Sequence, residues 1–543
     1  MQKPSPTAQT EFQFYEKVPN EIWIAIFDRV TTPRDLLHLI TACKHFYSIG
    51  WSSLHRTIFL ASTTLDALWG TKTTLEALPP DSPLPATIQG MVIGGFLRHR
   101  CLSALSAGEP HASIGPIIEK FYTHITSLVF IGVSLPSTFL QALTSLHKLQ
   151  RLHFYSSSIE ARSPTDPQQR TGDLAILRQL KDLRLWRNEG YQPTSPQTLL
   201  NTHFYSPPRL RIPVALLHMC KNIHTLHIDW EAMVPTILCR NLQDHFVALR
   251  YLCIRMPPLE VQKESTRFSS SLFPRVLSCF HQLEELRILG NVHIASDGHL
   301  SWNGTIPPIR GYTGPRNLVT TFDVMPPLES VTFTWAPSAT SHPTVALLND
   351  LFSRMTSETL QELNICVGFW DMELIYCITF CFPKLKVLRI AYTGGRIDNE
   401  RMPSFAAEHL ARLPNLEIFH LFYLNIPRHP YWGSSSGGQD AQRRTLEKFH
   451  QYLRGTLSRP VPPKLQVRWS MSDEETKEVL AAWNKYAPRL REVRFTVNSL
   501  WRRLMQGDGK WGVWKMYDEL SVEVDMLVYS DNLEAWKEFE SLR

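Results

Sequence analysis

Two short motifs carry residue types that could support catalysis. The segment 433–437 has the G-x-S-x-G spacing, with Ser435 at its centre, which exposes a nucleophilic hydroxyl when a strand precedes it and a helix follows. The segment 507–510 contains part of a phosphate-binding loop, but Leu504 stands where that loop requires glycine. Because the serine lies in a Pro- and Gly-rich stretch, the sequence predicts a loop there. A hydrolase is therefore the less favoured alternative.

The cysteines could in principle bind a metal. There are 9 of them, an odd number, and most have apolar neighbours. Cys377 and Cys381 form the closest pair, with Cys366 upstream, and no second ligand pair accompanies them. Free cysteine packs as a small hydrophobic residue. The sequence therefore predicts buried thiols, no disulfide framework, no metal and no cofactor.

A third set of polar residues alternates with large apolar ones. Guanidinium groups in such a row match phosphate or carboxylate oxygens, which would suit an acidic or phosphorylated protein segment. Asp182, Glu285 and Glu492 stand two residues before three of the arginines and could instead neutralise them. Both interpretations remain open. The row contains His153, Arg184, His227, Cys253, Arg287, Thr332, Asn364, Arg389, His420 and Arg494, and the possible aromatic anchors beside it are Trp186, Tyr155, Phe422 and Tyr423.

The row belongs to a pattern, apolar-x-x-Leu-x-x-Leu-x-apolar, that recurs from residue 125 onward. Its last step alternates as a half-buried strand does. Such units cannot close a core alone but share one when stacked. The pattern resembles leucine-rich repeats, which implies an α/β solenoid with a curved parallel sheet and outer helices. Copies begin at Leu146, Leu177, Cys220, Phe246, Phe280, Leu328, Leu360, Phe382, Leu413 and Leu490.

The asparagine position of such repeats is filled in only some units. Asn188, Asn291, Asn498 and, less regularly, Asn364 occupy it. The ladder of asparagine side chains that joins regular repeats is therefore incomplete. This leaves the curvature of the stack open.

The N-terminal part reads as three short helices. In 18–30, Pro19 suits a first helical turn, and Ile22, Ile26 and Phe27 recur at helical spacing. A second helix is predicted after Thr32-Pro33, and a third from about Cys43 to Leu54. About forty residues bury little surface by themselves, so the excess of apolar side chains points to a partner. An end cap for the repeats is the alternative.

These residues resemble the F-box motif in their order and spacing. The resemblance rests on Val18-Pro19-Asn20-Glu21-Ile22, Ile26-Phe27, Asp35-Leu36-Leu37, Cys43-Lys44, Phe46-Tyr47 and Leu54-His55-Arg56. Val18 replaces the usual leading leucine. In that family the module docks a Skp-type adaptor and, through it, a cullin. The resemblance implies that the adaptor-facing or supporting residues are Val18, Pro19, Ile22, Ile26, Leu36, Leu37 and Ile40.

An F-box followed by leucine-rich repeats is familiar in fungi. The resemblance implies a non-catalytic, substrate-recognition subunit of an SCF-type ubiquitin ligase, whose repeats bind a client protein. A scaffold that binds the adaptor without ubiquitylation is the alternative. We expect His153, Arg184, Trp186, His227, Arg287, Arg389, His420 and Arg494 to be the client-binding candidates.

The domain organisation follows from these patterns. We expect a disordered tail at 1–14, the F-box at 15–60, a helical linker or solenoid start at 61–120, and repeats at 121–543. Loop insertions are predicted where Pro, Ser, Gly and Asn concentrate. They are 156–172, 191–208, 295–315 and 427–444.

Composition limits the remaining alternatives. Hydrophobic residues make up 43% of the 543 residues, which suffices for a large core. A net charge of +6, without a dense Lys/Arg run, gives no indication of nucleic acid. From the polar first residues we expect no signal peptide, and from the short apolar runs we expect no membrane helix. We therefore expect a cytoplasmic or nuclear protein that contacts neither nucleic acid nor membrane.

Overall fold

The computed structural model of the protein divides into two compact units, with the division between residues 289 and 309. Each unit is described by itself. The residues described are 18–27, 29–30, 33–54, 56–60, 88–94, 124–131, 134–135, 143, 145–155, 158–159, 177, 179–186, 217, 220, 222–230, 246–256, 272–290, 306–319, 322, 324–334, 345–355, 358–395, 397, 399–423, 471–496, 499–505 and 511–518.

The first unit opens with the three predicted helices. They are α1 (Asn20–Phe27), α2 (Pro33–Thr41) and α3 (Lys44–Leu54). Pro33 is the first residue of α2, where a backbone N–H makes no hydrogen bond within the helix, so proline loses nothing by lacking one. Helix α3 contacts both α1 and α2. A further helix, α4 (Leu272–Ser278), precedes the last strand of this unit.

The strands of the first unit pair in parallel and follow chain order. Two short strands, β4 (Ser134–Leu135) and β6 (Ser158–Ile159), form a separate parallel pair. The main strands are β1 (Thr57–Leu60), β2 (Gly90–Gly94), β3 (Ser127–Ile131), β5 (Arg151–Tyr155), β7 (Asp182–Trp186), β8 (Thr225–Asp229), β9 (Tyr251–Arg255) and β10 (Glu285–Leu289).

The second unit has the same organisation over most of its length. Its strands are β11 (Gly311–Pro315), β12 (Ser330–Thr334), β13 (Glu362–Phe369), β14 (Val387–Gly394), β15 (Ile418–Tyr423), β16 (Glu492–Arg494), β17 (Ser499–Met505) and β18 (Trp511–Asp518). Strands β11 to β16 are parallel, whereas β17 and β18 are antiparallel. Its α-helices are α5 (Arg316–Val319), α6 (Val345–Arg354), α7 (Met372–Cys381), α8 (Met402–Glu408) and α9 (Asp473–Trp483).

The Leu-x-x-Leu step of the repeats is a tight turn before each strand. Leu149 donates its N–H to the Leu146 carbonyl at 3.1 Å, and Leu385 does the same to Phe382 at 3.2 Å. The apolar positions of all ten repeats are buried, as the pattern predicted. Burial of these side chains is what each unit contributes to the shared core.

A second backbone feature joins successive repeats. A residue at the entrance of each strand, in most repeats the one after the Leu or Ile that ends the turn, offers a carbonyl that accepts two consecutive N–H groups of the next strand, at 2.7–3.1 Å. A carbonyl oxygen has two lone pairs and can accept both. The accepting residues are Arg56, Gln89, Thr126, Gln150, Lys181, His224 and Arg250 in the first unit, and Arg310, Glu329, Gln361, Lys386 and Glu417 in the second.

The α/β class, the mostly parallel strands and the helical N-terminal region are confirmed. One loop prediction is wrong in part, because 295–315 contains β11. Its sequence, Gly-Tyr-Thr-Gly-Pro, reads as a turn, yet Tyr312 is buried and its hydroxyl donates to the Pro315 carbonyl at 2.8 Å. The predicted loop 156–172 likewise contains β6. Strands β1 and β2 extend the sheet to before residue 121, while most of 61–120 lies outside the described residues.

The buried leucines lead to a first prediction. Leu385 is fully buried beside Lys384, which is exposed. We expect Leu385→Ala to lower the free energy of unfolding by about 2–5 kcal/mol, since it leaves a cavity in a packed core. Lys386, on the other side of Leu385, is also exposed and lacks the ion pair that Lys384 makes with Glu358, so Lys386→Ala is the control and should change the free energy of unfolding by less than about 0.5 kcal/mol. Urea unfolding followed by tryptophan fluorescence measures both, and equal effects would contradict the repeat core.

Candidate functional site

The N-terminal helices share a small aromatic core. Phe27, Leu36, Ile40 and Phe46 are buried together, with Trp23 packed against them. The Trp23 and Phe46 rings lie 4.5 Å apart between centroids, and the Phe27 and Phe46 rings meet edge to face at 5.6 Å. This core fixes the orientation of all three helices.

The packing leaves no room at Gly50, in the middle of α3. A Cβ atom there would clash with Cγ2 of Ile40 and approach the Phe27 ring to 3.1 Å. Ile40 is fully buried and β-branched, so its side chain cannot easily move away. Glycine at this position therefore lets α3 approach its two neighbours closely.

The opposite surface of these helices is apolar and exposed. On α1, Trp23 and Phe27 face the core, while Ile22 and Ile26 lie one turn apart on a different face, with Ile22 51% exposed. Isolated exposed apolar side chains are common, but a concentration of them on so small a module is not. The exposed large apolar side chains among the described residues of the module are Ile22, Ile24, Ile26, Leu37, Leu39, Tyr47 and Trp51.

The residues expected to face or support an adaptor divide between the two surfaces. Pro19, Ile22, Ile26 and Leu37 are exposed, and Val18 is half-buried. Leu36 and Ile40 belong to the internal core and can only support the exposed face.

Sequence reasoning used Tyr47 of α3 only as part of the motif and did not mention Trp51. Tyr47 and Trp51 are exposed one turn apart, with ring centroids 5.1 Å from each other. Their i, i+4 spacing, beside the inward-facing Phe46 and Gly50, was the signal that could have revealed them. They add an aromatic pair to the exposed apolar surface.

The polar row of the first unit is in register, as alternation predicted. His153 is level with Arg184, then with His227, Cys253 and Arg287 on successive strands. Much of this row is buried, including His153, His227 and the neighbouring Trp186. Arg184 and Arg287 keep partial solvent exposure.

Carboxylates neutralise the exposed arginines of this row. Arg184 donates to both oxygens of Asp182 at 3.2 Å, and Arg287 donates to Glu285 at 3.0 Å. Nε2 of His153 lies 3.0 Å from Asp182. Burial opposes ionisation of Asp182, but His153 and Arg184 outweigh it and hold the pKa of this carboxyl well below its usual range.

The row of the second unit is also in register and compensated. Arg389, level with Asn364 and His420, donates to Glu362 at 2.5 Å and to Asn364 at 3.2 Å. The amide of Asn364 donates to Thr332 at 2.8 Å. These contacts favour the charge-compensated interpretation over a free cationic surface.

Glu492 joins two cations at the end of this row. It contacts buried His420 at 3.0 Å and accepts a hydrogen bond from Arg502 at 3.1 Å. Burial opposes its ionisation, but these two partners lower the pKa of Glu492 to about 2. Arg494, level with His420, is buried. The two residues therefore offer a client little accessible surface.

His227 is buried between the aromatic rings of Trp186 and Tyr251, at centroid distances of 5.3 and 5.1 Å. Burial, followed by the nearby charge of Arg184, holds the pKa of His227 well below its usual range. The imidazole is therefore neutral at pH 7.

The other sequence candidates have different outcomes. The segments around Ser435 and Gly507–Lys510 lie outside the described residues, as do Asn188, Asn291 and Asn498. Within the described part, no group of His, Cys, Asp and Glu is arranged to hold a metal ion. No helix in that part is long and apolar enough to span a membrane.

Comparison with known proteins agrees with the helical module. A family model described as F-box-like matches residues 15–61, so this segment is an F-box-like domain. No curated protein matches the chain. Among solved structures, an LRR protein of Leptospira interrogans is similar over 68% of this chain and 90% of its own, with 12% identity and a TM-score of 0.22.

The close packing at Gly50 gives the second prediction. We expect Gly50→Ala to destabilise the module by about 1–3 kcal/mol, because overpacking outweighs the better helix propensity of alanine. Hydrogen exchange of the full chain should show lost protection in α1 to α3, with strands β13 to β15 unaffected. Ser48→Ala, on the exposed side of α3, is the matched control. Unchanged protection in Gly50→Ala would contradict the helix packing described.

The buried His227 gives the third prediction. The pKa of this histidine is about 6.5 in the unfolded chain and lower in the folded chain. As the pH falls below about 6.5, only the unfolded chain binds the proton, so the folded chain becomes less stable. From this residue alone, the stability of the first unit should fall by on the order of 1 kcal/mol between pH 7.5 and 5.5. Urea titrations at both pH values should show a smaller fall in His227→Gln. His281→Gln, at an exposed position, should keep the wild-type fall.

Proposed function

We propose that this protein is the substrate-recognition subunit of a cullin-type (SCF) ubiquitin ligase. The observation that carries the proposal is the F-box-like domain at 15–61, whose helices leave a set of large apolar side chains uncovered. Exposing such side chains in water is unfavourable, and a protein partner removes that cost. The partner implied by the family is a Skp-type adaptor, which connects to a cullin.

The adaptor surface is proposed to centre on Pro19, which precedes α1, on Ile22 and Ile26 of α1, and on Leu37 of α2. These side chains are exposed, and Pro19 and Ile22 stand where the family's motif begins its contact. Val18 lies at the edge of the surface, and Leu36 and Ile40 hold it in shape from below. Tyr47 and Trp51 are candidates to extend it, since aromatic residues are enriched at binding hot spots.

The repeat region is proposed to be a leucine-rich-repeat solenoid that holds the client. Of the row named from the sequence, Arg184, Arg287 and Arg389 keep solvent contact and are the better candidates. His153, Trp186, His227, His420 and Arg494 are buried and would act mainly by positioning these neighbours. In this role the protein is non-catalytic, needs no cofactor, and acts in the cytoplasm or nucleus.

A scaffold that binds the adaptor without a cullin is the alternative that the experiment must separate. A receptor should co-purify with both adaptor and cullin, whereas a scaffold should bring the adaptor alone. Recovery of a client that accumulates when the proteasome is inhibited would support ubiquitylation directly.

The adaptor surface gives the fourth prediction. Burying an isoleucine contributes roughly 1.5–3 kcal/mol, and a charge at that place adds a desolvation cost. Ile22→Asp should therefore weaken binding to a purified Skp-type adaptor by at least about tenfold, since 1.4 kcal/mol corresponds to one decade. Titration calorimetry or a quantitative pull-down measures the change.

Val513→Asp is the matched control, because Val513 is an exposed apolar residue of the second unit. This variant should bind the adaptor like the wild type, and both variants should melt like it. Failure of the wild type to bind, or full binding by Ile22→Asp, would instead indicate an end cap for the repeats.

A further inference from the structure

The helices of the second unit differ in what they present to solvent. Where the structure describes the side chains of α6, α8 and α9, the exposed ones are polar, charged or small, such as Asn349, Ser404, Glu474 and Glu478. This is the usual composition of a helix that covers a sheet on one side. Helix α7 departs from it, because its sequence MELIYCITFC contains one charged residue, Glu373.

The inner face of α7 packs against the core, as the inner faces of the other helices do. Leu374, Ile375 and Ile378 are buried. These residues supply the apolar stripe with which α7 packs on the core, and the exposed apolar side chains of α7, Tyr376 and Phe380, lie outside it. Their presence on the outer face needs a separate explanation.

That outer face is a ridge of three side chains one turn apart. Met372 is half-buried, Tyr376 is exposed, and Phe380 is 72% exposed. The Tyr376 and Phe380 rings stack nearly parallel, with centroids 6.5 Å apart and an interplanar angle of 10°. The two rings are already in contact with each other without a partner, so binding has less side-chain freedom to remove.

A cation borders the ridge. The guanidinium carbon of exposed Arg412 lies 5.0 Å from the centroid of the Tyr376 ring. Within the described residues, no carboxylate forms an ion pair with Arg412. Two acidic groups lie at the start of α7: Asp371 precedes the helix and accepts a hydrogen bond from the Glu373 N–H at 2.9 Å, and Glu373 lies in the first turn. The surface thus combines an apolar ridge with one available positive charge.

We propose that this surface, defined by Met372, Tyr376, Phe380 and Arg412, docks an amphipathic helix of the client protein. Large apolar residues of that helix at i and i+4 pack on Tyr376 and Phe380, and an Asp or Glu beside them pairs with Arg412. Naming the partner as the client rests on the proposed receptor function.

A second copy of the chain fits this surface less well. A helix of ten residues is about 15 Å long, and its outer face falls short of the roughly 800 Å² that each partner buries in a stable dimer. A small, ordered surface suits a weak and reversible contact with a short segment, as a receptor requires.

The test uses phage-displayed helical peptides of about 18 residues, a length at which an isolated helix forms. They are selected on the full-length wild-type chain, with counter-selection on the double variant Tyr376→Ser/Phe380→Ser. Enriched peptides should carry large apolar residues at i and i+4 and an acidic residue. Synthetic copies should bind Phe380→Ser at least about tenfold more weakly by fluorescence anisotropy. On Arg412→Glu, the preference should change from acidic to basic peptides.

Val324→Ser is the matched control, since Val324 is 70% exposed elsewhere in the second unit. It should bind the peptides normally, and all variants should melt like the wild type.

Three results would overturn the proposal: no peptide that distinguishes wild type from the double variant, peptides indifferent to Arg412→Glu, or a wild-type dimer in sedimentation that Phe380→Ser dissolves. Adaptor binding by Phe380→Ser should be unchanged. If the wild type does not bind the adaptor, the proposed receptor function is wrong, and the peptide experiment still decides separately whether this surface docks a helix.

Discussion

One backbone carbonyl that accepts two N–H groups connects each repeat to the next. The arrangement recurs within both units, in most cases at the residue that follows the Leu or Ile that ends the turn. Buried backbone groups must be paired, and this geometry satisfies two donors with one acceptor at the entrance of each strand. Strand register, the alignment of the polar row and the burial of the leucines all depend on this entrance being the same in every repeat.

The interaction also explains why the repeats can be so irregular in sequence. Because only main-chain atoms take part, the accepting position holds Gln, Thr, Lys, His, Arg and Glu in different repeats. The asparagine that regular repeats use is thus not required at every step. Where Asn364 occurs, it donates to Thr332 and accepts from Arg389, so it joins side chains across three strands.

Sequence reasoning succeeded where spacing alone decides the structure. Leucines at fixed intervals must share one side of a turn and strand, so their burial and the register of the intervening residues could be predicted. It failed at β11, where Gly311 and Pro315 hide a strand held by Tyr312. It could not predict that His153, His227 and Trp186 are buried, since tertiary packing decides that. The exposure of Tyr376 and Phe380 was equally hidden, because an apolar helix reads as core.

The connection between the F-box-like domain and the first strands has a mechanical consequence. Only residues 55 and 56 separate α3 from β1, and the Arg56 carbonyl holds Gln89 and Gly90 at 2.8 and 2.9 Å. A connection this short, held by two backbone hydrogen bonds, restricts the rotation of α3 relative to β1 and β2. A protein bound to α1 would therefore fix the direction of β1 and β2 relative to itself.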